Sequence, residues 1–329
     1  MSTLPSKRVI LDKSFLQAES RNGGRLAMLR DCGASFVLTD TLIYEFCTDA
    51  RTAQWPAAQR KLFPIADRIE VWRHAGELLR IEVEQQRPVE SPVDQEATER
   101  VREWFRGGAT YVPPNLAALG QAAHQQREVD SVNALIADCQ SLCQVDPNYT
   151  ARIQRGGAEA EAILSDLIAR HEFIAWRVNR DHGNPADTEL YIREAEQGLG
   201  PEWFAYQHAK STLALCCHYM SKYGMQNTSG VDFIHTKLDA DYVALLHYAD
   251  ALATNETSGS LAGICRWMHG RSKIILSTGS LDGAKPKDDV IGVEAYSKWE
   301  RAGGTHGHDQ DDWFVAKAEL LWRGANIHS

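Results

Sequence analysis

The chain has 329 residues, of which 43% are hydrophobic, 24% charged and 9% aromatic, a balance that excludes collagen-like, low-complexity and largely disordered readings. A net charge of −9 excludes a bulk electrostatic binder of nucleic acid. It does not exclude an enzyme acting on nucleic acid, because a bound cation and local arginines reverse the local sign.

The length predicts two domains, or one with a large insertion, at about 100–200 residues per domain. Apolar runs such as Val9 to Leu11 and Ile274 to Leu276 fall far short of the roughly 20 residues a membrane span needs. Met1 to Lys7 shows no basic segment leading into an apolar run, so no secretory signal is expected. The 7 cysteines, at 32, 47, 139, 143, 216, 217 and 265, form no CxxC pair. They predict small buried side chains in a reducing, cytoplasmic setting.

The chain opens with two strand-then-helix units. Lys7 to Leu11 is β-prone and ends at Asp12. A short helix from Ser14 to Arg21 stops at Asn22-Gly23-Gly24, and a second, Arg25 to Asp31, closes at Gly33. Ala34 to Leu38 reads as a buried strand. Asp40 is the expected N-cap of a helix from Thr41 to about Cys47. Strands alternating with helices predict a parallel α/β sheet.

From about Trp55 to Gly224 the text turns helical. Expected helices cover Ala75 to Gln86, Asp94 to Arg106, Leu116 to Leu142, Tyr149 to Val178 and Trp203 to Tyr223. Residues 55–224 are therefore expected to form an all-helical insertion between the halves 1–54 and 225–329 of one α/β domain. In the second half, Leu238 to Tyr248 is helical, Ala249 to Thr254 a short strand, Leu261 to His269 a helix and Ser272 to Leu276 a strand. A loop from Ser277 to Asp289 precedes helices at Val290 to Gly303 and Asp312 to Trp322.

Four acids fall where parallel sheets place their active sites, near the carboxyl ends of strands. Asp12 ends the first strand, and Glu45 lies in the helix after the second. Asp239 lies in the helix before the third strand and Glu256 follows that strand; Asp250 stands at its start. If the strands are neighbours, these carboxylates converge. Crowded carboxylates repel and call for a hard cation, Mg2+ or Mn2+. Such a site polarises a phosphate and activates water for in-line attack, which is phosphodiester hydrolysis.

The segments Val9-Ile10-Leu11-Asp12-Lys13-Ser14-Phe15-Leu16, Thr39-Asp40-Thr41-Leu42-Ile43-Tyr44-Glu45-Phe46 and Asp239 through Thr254-Asn255-Glu256 together resemble the PIN-like nuclease domain, of the PilT N-terminus type. The resemblance covers residues 7–50 and 225–280. It implies a PIN-like parallel sheet flanked by helices and interrupted by the large helical insertion. It also implies a metal-dependent endonuclease, with RNA favoured over DNA. Three departures stand out. Glu256 replaces the usual Asp, Lys13-Ser14 replaces the common Thr-Asn, and the insertion is far larger than in small members.

Under the resemblance, Asp12 is the central metal ligand, and Glu45, Asp239 and Glu256 complete or orient the metal shell. Ser14, Thr254 and Asn255 support it with Asp250, and Lys13 contacts a substrate phosphate. Asp232 and Asp241 compete with Asp239 for the third acidic position. The insertion selects substrate or binds a protein partner. The rival readings are a catalytically inactive PIN-like scaffold and a small-molecule phosphohydrolase.

Other candidates carry bland readings beside their functional ones. Arg100, Arg102 and Arg106 with Trp104 and Phe105 suit phosphate contact and base stacking, or form an ordinary surface helix. His306 to Asp312 holds two His and three Asp, a metal tract or a loop capping the last helix. Asp232 and His235 are helical neighbours that suit a dyad or a cap. Glu77, Glu82 and Glu84 read as a solvated face. No phosphate loop, serine elbow or HExxH motif occurs.

Overall fold

The computed structural model describes residues 7–47, 54–106, 199–223, 230–256, 260–283 and 287–301, with isolated positions between 133 and 197 and at 316, 317 and 320. Five strands form one sheet: β1 (Lys7–Leu11), β2 (Ala34–Leu38), β3 (Ile69–Val71), β4 (Ala251–Ala253) and β5 (Ile274–Leu276). Their order is β3-β2-β1-β4-β5, and every pairing is parallel. Val9 at the centre is in register with Phe36 on one side and Ala251 on the other.

Helices cover both faces, which is why β1 and β2 read as continuous rather than alternating apolar runs. Val9, Ile10 and Leu11 are buried, as is every residue of β2. After β1 come α1 (Lys13–Ala18) and α2 (Gly24–Asp31). Gly23, before α2, has φ of +63°, and a Cβ there would lie 2.3 Å from the carbonyl oxygen of Lys61. The turn needs glycine on both counts. After β2, α3 (Asp40–Cys47), α4 (Gln54–Leu62) and a 3-10 turn (Phe63–Arg68) lead to β3. Asp40 is the first residue of α3 rather than its cap; Thr39 Oγ1 accepts from Leu42 N at 3.1 Å in that role.

β3 lies inside the block expected to be all-helical. The strand is three residues long and follows a 3-10 turn, too short to show a period of its own. Next come α5 (Ala75–Gln85) and α6 (Gln95–Arg106), with Asp94 Oδ1 accepting from Ala97 N at 2.9 Å. Later, α7 (Phe204–Tyr223) packs on α8 (Gly230–Leu245) and on α9 (Ser260–His269). Residues 54–106 and 204–223 therefore belong to the α/β body. Most of 107–198, the remainder of the expected insertion, lies outside the described residues. The chain goes on through α10 (Thr278–Gly283), inside an expected loop, to α11 (Asp288–Arg301).

Glu82 is a second correction. It is 0% exposed, and its two carboxylate oxygens accept from Phe204 N at 2.6 Å and Ala205 N at 3.0 Å. A buried charge here satisfies the open amides at the start of α7 and complements the helix dipole. Cys32, Cys216, Cys217 and Cys265, the described free cysteines, are all buried. Burial pushes the thiols of Cys32 and Cys265 up to about 11 and about 12, so both are poor nucleophiles. Among the described residues, no helix is long and apolar enough to cross a membrane.

Candidate active site

The strand order reverses between β1 and β4. In open parallel sheets the crevice at such a switch point, outside the carboxyl ends of the strands, is where ligands bind. β1 ends into Asp12 and β4 ends into Thr254. The pairing holds them side by side, with Asp12 N donating to Ala253 O at 2.9 Å.

Asp12 is 6% exposed. Its Oδ2 accepts from Ser14 N at 3.2 Å, from Ser14 Oγ, and from Thr254 Oγ1 at 2.8 Å. The first of these caps α1, so Asp12 is a helix cap as well as a crevice carboxylate. The Ser14 and Thr254 hydroxyls lie 3.1 Å apart. Both have their hydrogens on Asp12, so this contact is packing. Ser14 Oγ in turn accepts from Asn255 N at 2.9 Å, and Thr254 Oγ1 from Glu256 N at 3.1 Å. Asp12 Oδ1 accepts no hydrogen bond among the described residues.

Glu45 reaches the same place from α3. Its carboxyl is pushed up to about 7, chiefly by burial, then by the charge of Asp12, with Glu256 adding a smaller push. The Tyr242 hydroxyl donates to Glu45 Oε2 at 2.8 Å and, with Lys13, pulls the other way. Tyr242 is fully buried and held well above the usual phenol range, first by burial and then by Glu45 and Asp12. It therefore stays a hydrogen-bond donor. Tyr242 escaped the sequence reading; its one signal was its place a turn after Asp239 in an acid-bearing helix.

The other expected residues divide. Asp239 is half-buried in α8, a turn before Tyr242. Asp241 lies elsewhere, 3.6 Å from His208 Nε2 and close enough to Asp40 to raise its carboxyl. Asp40 is exposed at the start of α3, beside Asp241 rather than Asp12. Partial burial of its carboxyl, ahead of the charge of Asp241, raises it to about 6. The side chains of Asp232 and His235 lie outside the described residues. Glu256 Oε1 accepts from Leu261 N at 3.0 Å, at the start of α9. Its carboxylate thus ties the end of β4 to the start of α9. Asn255 Oδ1 accepts from Thr278 Oγ1 at 2.8 Å, which brings the end of β5 into the support. Lys13 Nζ donates to the Glu45 carbonyl at 3.0 Å and sits 5.8 Å from the Phe46 ring centroid.

Two expectations are corrected. Asp250 stands at the amino end of the sheet, where its Oδ2 accepts from Arg8 N at 2.9 Å. It fastens β4 to β1 at the opposite end from Asp12. The α6 patch is also misplaced for a crevice role. Thr98 Oγ1 accepts from Val71 N at 2.8 Å and Arg102 Nε donates to Ile69 O at 2.8 Å. α6 therefore runs from the carboxyl end of β3 towards its amino end, carrying Arg106 beyond Arg102. Arg100 pairs with Glu96 on the surface, and Trp104 stands beside Phe105. His306 to Asp312 lies outside the described residues.

Among the described residues, no three His, Cys, Asp or Glu side chains form a metal-binding group. Asp12 and Glu45, near enough for the charge of one to raise the carboxyl of the other, are oxygen ligands. Their mutual repulsion is what a hard cation would relieve. Mg2+ commonly binds through one or two carboxylates, with water and substrate phosphate completing the shell. The pair fits that mode and not an all-protein cage.

Residues 288–321 match a family described as a protein of unknown function, DUF2934. That segment contains α11, and Ile291 and Ala295 pack with Ala316 and Leu320 in a small cluster of their own. No curated protein and no solved structure matches the chain.

Proposed function

We propose that the protein hydrolyses phosphodiester bonds at the β1–β4 crevice, acting as a metal-dependent endonuclease of the PIN-like kind. One observation carries the reading. At the switch point, the Asp12 carboxylate is locked by Ser14 and Thr254 beside a Glu45 carboxyl pushed up to about 7. Two neighbouring carboxyl groups whose repulsion a hard cation would relieve are the arrangement that metal-assisted phosphodiester hydrolysis uses. The preference for RNA over DNA comes from the family resemblance alone.

Asp12 and Glu45 would hold the cation, with Asp239 and Glu256 in the outer ring. Bound there, Mg2+ or Mn2+ supplies charge neutralisation and polarisation of the phosphate. The chain's own groups do the rest. Ser14 and Thr254 keep Asp12 in one rotamer, so its second oxygen faces the substrate without reorganisation. Glu45 shares the cation with Asp12, and a cation bound there would relieve the repulsion that, after burial, raises its carboxyl. Tyr242 holds Glu45 in place and remains protonated.

Cleavage of labelled single-stranded RNA and DNA in Mn2+, Mg2+ or EDTA, with wild type and Asp12→Asn in parallel, tests the reading. Metal-dependent cutting that Asp12→Asn abolishes is the expected result. Full activity in that variant overturns it. The engagement of Glu256 with Leu261 N favours one rival, a catalytically silent scaffold. That rival predicts no cutting by either protein.

A further inference from the structure

A second concavity, a cleft of about 680 Å³, lies beside Gly270–Ser272, the turn that enters the amino end of β5. The first turns of α7 and the last turn of α9 form its walls. Its size is in the range of small-molecule sites. Among the described residues, it is lined by two cations, Lys210 and Arg266, and by no acid.

The cleft is built by helical spacing. Tyr206, Gln207 and Lys210 share one face of α7. Lys210 is only 5% exposed, with its ammonium 6.0 Å from the Tyr206 ring centroid. The Tyr206 π face helps hold an ammonium at that depth. Gln207 Nε2 donates to Pro201 O at 2.7 Å. That fixes the amide, whose Oε1 accepts nothing among the described residues. From α9 come Arg266 and the half-exposed indole of Trp267.

His269 lines the cleft too but adds no charge. Its Nε2 lies 2.9 Å from the Val243 carbonyl, which only accepts, so Nε2 carries the hydrogen. Burial first, then the ammonium groups of Lys273 and Lys210, hold the ring down at about 4 despite the pull of that carbonyl.

We propose that this cleft binds a nucleoside phosphate, with the phosphate on Lys210 and Arg266 and the base against Trp267. Paired cations supply charge-assisted hydrogen bonds to phosphate oxygens. The half-exposed indole beside them offers the stacking face that a free phosphate or sugar phosphate does not use. Gln207 Oε1 provides one acceptor for an amino or hydroxyl group. The proposal is independent of the chemistry at Asp12, since the cleft and the acids use different residues at different ends of the sheet.

Calorimetric titration of the full chain with adenosine and guanosine mono-, di- and triphosphates, UMP and CMP tests it. Inorganic phosphate and ribose 5-phosphate serve as controls. Saturable binding of at least one nucleotide, one per chain, is expected, with affinity falling about tenfold or more in Lys210→Met and in Trp267→Leu. No binding by any nucleotide overturns the proposal. So does inorganic phosphate binding as tightly as the nucleotides, or binding that both variants leave intact. Binding that Asp12→Asn abolishes and Lys210→Met spares would place the nucleotide at the acids and overturn it as well. If circular dichroism shows Lys210→Met unfolded, Arg266→Gln joins Trp267→Leu as the deciding pair.

Discussion

Thr254 Oγ1 donates to Asp12 Oδ2 at 2.8 Å, joining the ends of two neighbouring strands whose residues lie 242 positions apart in the chain. The bond is buried, and its acceptor also serves as the cap of α1. Three donors on one oxygen leave the Asp12 carboxylate a single orientation.

Replacing Thr254 by Val keeps the shape and removes the donor. Stability should drop by about 1–3 kcal/mol, the cost of leaving a buried acceptor short of a partner. Metal-dependent cleavage should fall with it, and Thr254→Ser should restore both. Denaturant melts and cleavage rates of the two variants check this. A Val variant as active as wild type would show that the orientation of Asp12 is immaterial to the chemistry.

Asp12→Asn keeps a good capping residue, because Asn accepts from Ser14 N as Asp does. Stability should stay within about 1 kcal/mol of wild type while cleavage is lost. Divalent cations should raise the melting temperature of wild type and not of the variant. At ten times the dissociation constant the gain is about 1.4 kcal/mol. Thermal melts with and without Mn2+ measure it.

Glu45 and His269 give opposite pH dependences. The folded Glu45 carboxyl, near 7 against a usual 4.5, binds a proton more readily than the unfolded chain does. Stability from this group therefore falls as pH rises from about 4.5 to 7, in the absence of divalent cation. The folded His269, near 4 against 6.5, resists protonation. Its contribution is full above pH 6.5 and is lost as pH falls towards 4. Glu45→Gln should remove the part of the first slope near pH 6–7, above the range of Asp40, and leave the second. His269→Gln should remove the second and leave the first. Urea melts across this range, in chelator, separate the two.

Glu82→Gln leaves one acceptor for the two amides at the start of α7 and sets an NH2 group against the other. A loss of about 1–3 kcal/mol is expected, with no change in the response to Mn2+. Chemical denaturation measures the first, and melting with the cation the second.

Local pattern was enough for much of this molecule. Lys7–Leu11 and Ala34–Leu38 are strands with the expected bounds, since continuous apolar runs between turn residues are buried whatever surrounds them. The helices at Ala75, Gln95, Phe204 and Ser260 follow from amphipathic spacing and from caps such as Asp94. Asp12 and Glu45 were readable as crevice acids because each follows a strand in a βα unit.

The rest belongs to pairings between distant parts of the chain. β3 has three residues and becomes a strand only because β2 offers it an edge. Asp250 and Glu256 flank one short strand and look alike in sequence, yet strand direction sends them to opposite ends of the sheet. Glu82 reads as a solvated glutamate until the start of α7, 122 residues later, arrives above it. Tyr242 gains its meaning from Glu45, and Lys210 from the α9 turn that closes its cleft. A helix or strand records its neighbours along the chain, whereas charge, burial and hydrogen-bond partner depend on what folds against it. Composition and periodicity therefore determined the α/β architecture and two of the acids. Tertiary packing decided the strand order, the environment that lifts Glu45 and the cations gathered at the other end of the sheet.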